Sequence, residues 1–183
     1  TKTTAKGNYS IKLRKKIGTD DIEEIWNGDE EKKKLNTNYF GIGDLEVSFN
    51  DKYLAYSLDT KGSEYFTIHV RDIETNTLVT EKIEDTSGSI MFSLDDKFIF
   101  YSKLDENHRP RKIFRHEIGK PIKDDILIFE EKTKAFTVSI GLTSDEKYYL
   151  VTSSDHNTTE KYYFSVDDKI PKPKLIRKRE KGI

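Results

Sequence analysis

The chain has 183 residues, enough for one domain with a buried core, and its 32 basic and 33 acidic residues leave a formal charge of −1. That balance provides no bulk field to gather nucleic acid or an anionic membrane, and no apolar run is long enough for a membrane-spanning helix. The absence of Cys excludes disulfides, thiolate metal sites and Cys nucleophiles.

Hydrophobic residues make up 34% of the chain against 36% charged, so its core must be thin or divided among small layers. A near-zero net charge and ten Tyr keep it outside the disordered class.

The first patterned stretch is Asp20–Leu35. Ile22, Ile25 and Trp26 fit one helical face, but Asn27-Gly28 is a hairpin signal, and the segment is predicted to be a strand followed by an irregular turn. Gly41-Ile42-Gly43-Asp44 is a fragment of a glycine-rich loop without the third Gly or the following helix. Its expected role is to pass the chain between sheets, not to hold phosphate.

From residue 50 the chain repeats itself. Asn50-Asp51-Lys52-Tyr53-Leu54-Ala55-Tyr56-Ser57 returns 45 residues later as Asp95-Asp96-Lys97-Phe98-Ile99-Phe100-Tyr101-Ser102, and 50 residues after that as Asp145-Glu146-Lys147-Tyr148-Tyr149-Leu150-Val151-Thr152. Each copy places side chains that bond their own backbone ahead of aromatic and branched residues, which is a turn entering a strand. A second apolar packet follows each copy, at 66–73, 111–118 and 161–167. The polar connectors 59–64, 105–110 and 154–159 between them read as hairpin loops. Further short strands are predicted at Leu78-Val79, Ser89–Phe92, Ile126–Phe129 and Phe136–Ile140.

About four strands recurring every 40 to 50 residues are the signature of propeller blades. The fold class expected is all-β, a partial β-propeller of about three to four four-stranded blades. They are divided as 1–39 (part of a first blade), 40–88, 89–135 and 136–183, the last incomplete. The competing architecture is a sandwich whose hairpins resemble one another by accident. Blades account for the sparing use of apolar residues, because neighbouring sheets share their packing faces.

Residues able to carry chemistry are few. His69 and His116 fall in second strands and His108 and His156 in connectors, and none has a metal-binding spacing. His116 is expected to be a polar residue on a blade edge. The acidic groups Asp51, Asp95-Asp96, Asp124-Asp125 and Asp145-Glu146 recur at turns, and no twelve-residue calcium loop follows them, so turn chemistry is the expected role. The basic run from Lys172 to Lys181 reads as an exposed strand without neighbours, and the sequons at Asn8 and Asn157 as chance matches.

Lys112–Ile140, "KIFRHEIGKPIKDDILIFEEKTKAFTVSI", resembles the propeller of the prolyl oligopeptidase family of serine peptidases, most closely its oligopeptidase B, or protease II, branch. The shared pattern is an aromatic strand ending in Arg-His, then Gly-x-Pro, a two-acid turn and a strand ending in Glu-Glu. Gly7–Ile11 with Arg14-Lys15, Val70–Thr75 and Ile176–Glu180 support it.

The resemblance implies a seven-bladed propeller that caps an α/β-hydrolase domain with a Ser, Asp and His triad, in an enzyme cutting short peptides after Arg or Lys. The propeller's implied part is access control. No Gly-x-Ser-x-Gly elbow occurs in the 183 residues. The chain is therefore expected to begin and end within the propeller and to be inactive alone, with no catalytic, cofactor-binding or metal-ligating residue assigned. The partners expected are the α/β-hydrolase catalytic domain and peptide substrates, without nucleic acid or membrane, together with self-association through open blade edges. A Cys-free chain fits the cytoplasm. The alternatives are a non-catalytic propeller scaffold for protein partners, and the product of a remnant gene.

Overall fold

A computed structural model describes residues 1–180. The chain forms two compact units, residues 1–41 with 60–62, and residues 42–59 with the chain from 63 onward.

In the first unit β1 (Lys2–Lys6), β2 (Tyr9–Lys15) and β3 (Ile22–Asn27) form an antiparallel sheet in that order, with Ile11 and Trp26 buried. The expected irregular turn after β3 is instead a helix, α1 (Gly28–Leu35). Asn27 does not open a hairpin: its extended backbone and side chain cap the helix, Oδ1 accepting from the Asp29 and Glu30 N–H groups at 3.1 and 3.3 Å. Asp29, Glu30 and Glu31 occupy the first turn and Lys32, Lys33 and Lys34 the last, the order that complements the helix dipole. Asn36, in the left-handed region at φ 48°, ends it with its N–H on the Lys32 and Lys33 carbonyls. The Asn-Gly pair fits either a turn or a cap. The Glu- and Lys-rich run after it decides for the helix, because strands want branched and aromatic residues there.

The second unit holds β4 (Gly41–Val47), β5 (Tyr53–Asp59), β6 (Phe66–Asp72), β7 (Ile83–Phe92), β8 (Phe98–Leu104), β9 (Pro110–Glu117) and β10 (Ile126–Glu130) in one curled antiparallel sheet in chain order. β11 (Thr137–Leu142), β12 (Tyr148–Ser154), β13 (Thr159–Ser165) and β14 (Lys174–Arg177) form another. The seven-stranded sheet is two groups of four that share β7. This strand pairs with β6 at Ile83 and Thr86, then shifts register and pairs with β8 at Ile90–Phe92. Gly88, at φ 89°, lies within the shift.

β7 thus closes β4–β7 and opens β7–β10, and β11–β14 is a third group of four. This is the repeated four-stranded sheet of a propeller, not a sandwich. One predicted strand is corrected: Leu78 makes only an isolated bridge to Arg71, and the fourth strand of the group is supplied by Ile83–Thr86. Leu78 is exposed, whereas Ile83 and Thr86 are buried, so burial selects the later segment. Gly41–Asp44 is likewise not a loop but the first half of β4.

Strand β8 shows how little apolar residue the design needs. Ile99 and Tyr101 point into one core with Ala55, Ile68, Val70, Ile83, Ile90 and Phe92, while Phe100 points into a second with Ile113, Ile128, Val138, Tyr149, Val151 and Phe164. Successive side chains of a strand face opposite ways, so a middle sheet buried on both faces reads as the unbroken run Phe98–Tyr101.

The repeated phrases form three copies of one turn. In each, the N–H of Ser48, Ser93 or Thr143 bonds the carbonyl of Tyr53, Phe98 or Tyr148 at 2.9 Å. The hydroxyls of those three residues donate to Asn50, Asp95 and Asp145 at 2.8, 2.7 and 2.7 Å. They also accept the N–H of the first strand residue, Tyr53, Phe98 or Tyr148. Asp51, Asp96 and Glu146 take the left-handed position of each turn, with φ 57°, 55° and 57°. The acidic pairs therefore form turns, as the repeat implies.

Candidate functional site

The four His are dispersed. The His69 ring, on β6, stacks on Tyr56 at 5.0 Å, and His108, in the β8–β9 loop at φ 57°, lies 4.2 Å from the Tyr65 ring. His156 is exposed in the β12–β13 loop, as is Asn157 of its sequon, and Asn8 is exposed between β1 and β2.

His116 is not on an edge. β9 lies between β8 and β10, and the His116 side chain is 0% exposed, with Nδ1 2.6 Å from Asp125 Oδ1. Tyr101 donates its hydroxyl to Asp125 Oδ2 at 2.7 Å. Burial, reinforced by that carboxylate, raises the Tyr101 pKa and keeps the phenol protonated. An imidazole oriented by a carboxylate is two-thirds of a nucleophilic triad. Here, however, His116 Nε2 is buried without a hydrogen-bond partner, so no hydroxyl stands where a nucleophile would. The constellation ties the segment before β10 to β8 and β9.

A second polar cluster fastens the β11–β14 sheet to its neighbour. Arg179 donates to Glu131 at 2.7 Å and to Glu160 at 2.5 Å, with its guanidinium 4.1 Å from the centre of the Phe136 ring. Ser153 Oγ and the Thr133 N–H also donate to Glu131. Burial alone would push the Glu131 carboxyl up, but the Ser153, Arg179 and Thr133 donors outweigh it and hold the pKa at about 2. The basic C-terminal run is therefore not without neighbours: β14 pairs with β13, and Arg179 is held by two carboxylates.

These partners were out of reach of sequence reading. Arg115-His116 and Glu130-Glu131 stand out as family-like dipeptides, but Asp125 is read only as half of a turn and Arg179 only as part of a charge run. The chemistry these clusters can perform is attachment of strands. Among the described residues no group of three or more His, Asp or Glu is placed to hold a metal ion.

Comparison with known proteins agrees with this picture of a structural domain. The family described as "Prolyl oligopeptidase, N-terminal beta-propeller domain" matches residues 1–183. Protease 2 of Moraxella lacunata is 29% identical over 148 residues, covering 80% of this chain and 21% of that protein. Dipeptidyl aminopeptidase BI of Pseudoxanthomonas mexicana is 30% identical over 115 residues, covering 62% of this chain and 16% of that protein. The fold is that of oligopeptidase B from Leishmania major, with a TM-score of 0.87 at 23% identity over 95% of this chain and 25% of that one. The chain thus spans about a sixth to a quarter of the proteins it is matched with. Stacked four-stranded groups, their repeated turns and a family match along the whole length lead to one assignment: the chain belongs to the N-terminal β-propeller domain of the prolyl oligopeptidase family.

Proposed function

We propose that the chain is the access-controlling propeller portion of an oligopeptidase B-like serine endopeptidase that cuts short peptides after Arg or Lys. The observation that carries this reading is the family match over residues 1–183, joined to a structure whose polar clusters attach strands. A stiff stack of sheets beside a reaction centre excludes folded proteins by size, and movement of one domain against the other admits peptides, a gating role separate from chemistry. The nucleophilic Ser, its activating His and the orienting Asp belong on a hydrolase region outside these 183 residues. The Cys-free composition supports placing the enzyme in the cytoplasm. The edge strand β14, with Leu175 and Ile176 exposed, supports self-association of the chain when it is alone.

The test is expression of the gene with the reading frame that follows residue 183, assayed on reporter peptides. Hydrolysis after Arg and Lys, lost on treatment with a serine-directed inhibitor and absent on folded substrates of the same sequence, is the expected result. A frame without a nucleophilic Ser would leave a scaffold and overturn the enzyme reading, whereas cleavage after Pro or release of dipeptides would overturn the specificity.

A further inference from the structure

A cavity of about 500 Å³ opens between the β7–β10 and β11–β14 sheets, walled by Phe98, Phe100, Tyr149 and Phe164. Arg115 lines it from β9. It is 7% exposed, its guanidinium lies 4.2 Å from the centre of the Phe98 ring, and Nη2 donates to the Lys169 carbonyl at 2.9 Å. That is the one hydrogen bond the guanidinium makes among the described residues, and Nε is buried with no acceptor. Among those residues no carboxylate oxygen comes within 4.0 Å of it. A guanidinium has five N–H donors and cannot give up its charge in a protein, so one this deeply buried ordinarily sits beside a carboxylate.

Asp95, Asp167 and Asp168 line the same cavity, with Lys97 and Lys169 beside them, and none of the three carboxylates pairs with Arg115. Asp95 accepts the Ser93 hydroxyl at 2.7 Å and pairs with Lys97 at 3.2 Å, and the exposed Asp168 accepts the Ser165 N–H at 3.0 Å. Burial pulls the Arg115 pKa below its ordinary range, with Asp95 and Glu117 opposing the shift, as suits a cation without a close counter-ion.

We propose that this cavity is a binding site for the C-terminal carboxylate of a short peptide whose last residue is apolar. The carboxylate takes the remaining N–H donors of the two Nη atoms end-on, in the bidentate geometry Arg favours, while the inaccessible Nε stays outside the contact. The apolar side chain lies against the four aromatic walls. The cavity is of a size for one or two residues and combines aromatic walls with polar groups at its rim, of which Arg115 is the cation buried among the aromatic rings. The inference does not depend on the peptidase reading, since it asks nothing of a reaction centre.

The experiment is titration of the full chain, followed by amide NMR, with N-acetyl-Ala-Phe, with its C-terminal amide and with inorganic phosphate. Shifts confined to Leu94, Lys97, Arg115 and Lys169, with the acid binding at least about tenfold tighter than the amide or phosphate, are expected from a charge-assisted pair. Lys97→Glu, at an exposed rim position, should weaken the acid several-fold and leave the amide unchanged, and Arg115→Met should abolish the difference between acid and amide. Equal binding of acid and amide by the unaltered protein, or no shift with either at about 10 mM, a concentration well above a millimolar Kd, overturns the proposal.

Discussion

Asp96 accepts the Phe49 N–H through Oδ1 at 2.8 Å and the Asn50 N–H through Oδ2 at 2.7 Å, so the carboxylate of one turn holds the turn of the preceding repeat. Asp96 is itself buried in the left-handed position of its own turn, and the same residue thus shapes a turn and joins two four-stranded groups of the sheet. Replacing it removes both acceptors at once. Asp96→Ala is expected to cost about 3 kcal/mol, combining two deprived N–H groups with left-handed strain, and Asp96→Asn about 1 kcal/mol, since Asn tolerates the backbone and keeps one acceptor. Urea midpoints of the two variants check this; a loss of about 1 kcal/mol for Asp96→Ala, what left-handed strain alone costs, with none for Asp96→Asn would show that the pairing with Phe49 and Asn50 contributes nothing.

The third copy of the turn carries the opposite expectation. Glu146 holds φ 57° at an exposed site, where Asp51 and Asp96 hold the same position with shorter side chains. Asn visits the left-handed region more readily than Glu does, so Glu146→Asn should stabilise the chain by about 0.5 kcal/mol. A lower thermal midpoint for this variant would contradict the assignment of strain to that residue.

Gly43 and Gly88 face the same ring. A Cβ on Gly88 would lie 2.9 Å from Phe66 Cγ, and one on Gly43 2.9 Å from Phe66 Cδ1 and 2.5 Å from Ser57 Oγ. Ser57 in turn donates to the Gly88 carbonyl at 2.6 Å. Gly88 also has φ 89°, so Gly88→Ala combines a clash with strain and should cost at least about 2 kcal/mol. Phe66→Leu in the same chain should recover part of that loss and part of the loss from Gly43→Ala. Calorimetry of the single and double variants checks the coupling, and strictly additive losses would rule it out.

What could be read in advance divides along the range of the forces involved. The phrases beginning at Asn50, Asp95 and Asp145 predict a turn followed by a strand because both are decided within eight residues, and β5, β8 and β12 start where those phrases place them. The hairpin loops 59–64, 105–110 and 154–159 follow from the same local rules. Asn27-Gly28 misled because its two local meanings are separated only by the charge order of the next eight residues. Leu78-Val79 misled because strand choice there depends on which segment the packed sheet buries, and that segment holds Ile83 and Thr86. The polar clusters lay furthest out of reach. Glu131 and Arg179 are 48 residues apart, and Arg115 is held by the backbone carbonyl of Lys169, 54 residues on, in place of a carboxylate. Such pairings are properties of the packed sheets.

The Glu131–Arg179 contact makes stability depend on pH. Glu131 is held at about 2 in the folded chain against an ordinary value of 4.5, so its contribution is complete above about pH 4.5 and lost as the pH falls through about 2. The size of that depression corresponds to about 3 kcal/mol at neutral pH, in line with the cost of breaking a buried ion pair by removing one partner. Glu131→Gln cannot ionise. It should be less stable than the natural chain by about that amount at pH 7, and the gap should close progressively between pH 4.5 and 2. Arg179→Gln should show a smaller version of the same pH dependence, because the Ser153 hydroxyl and Thr133 N–H still bond the carboxylate. Glu160 retains the Tyr162 hydroxyl in that variant, so the sheet stays folded enough for the comparison to be made. Denaturant titrations of the three proteins at several acidic pH values measure this directly, and a gap that stays constant from pH 6 to 3 would mean that the ionised Glu131 gains nothing from the donors around it.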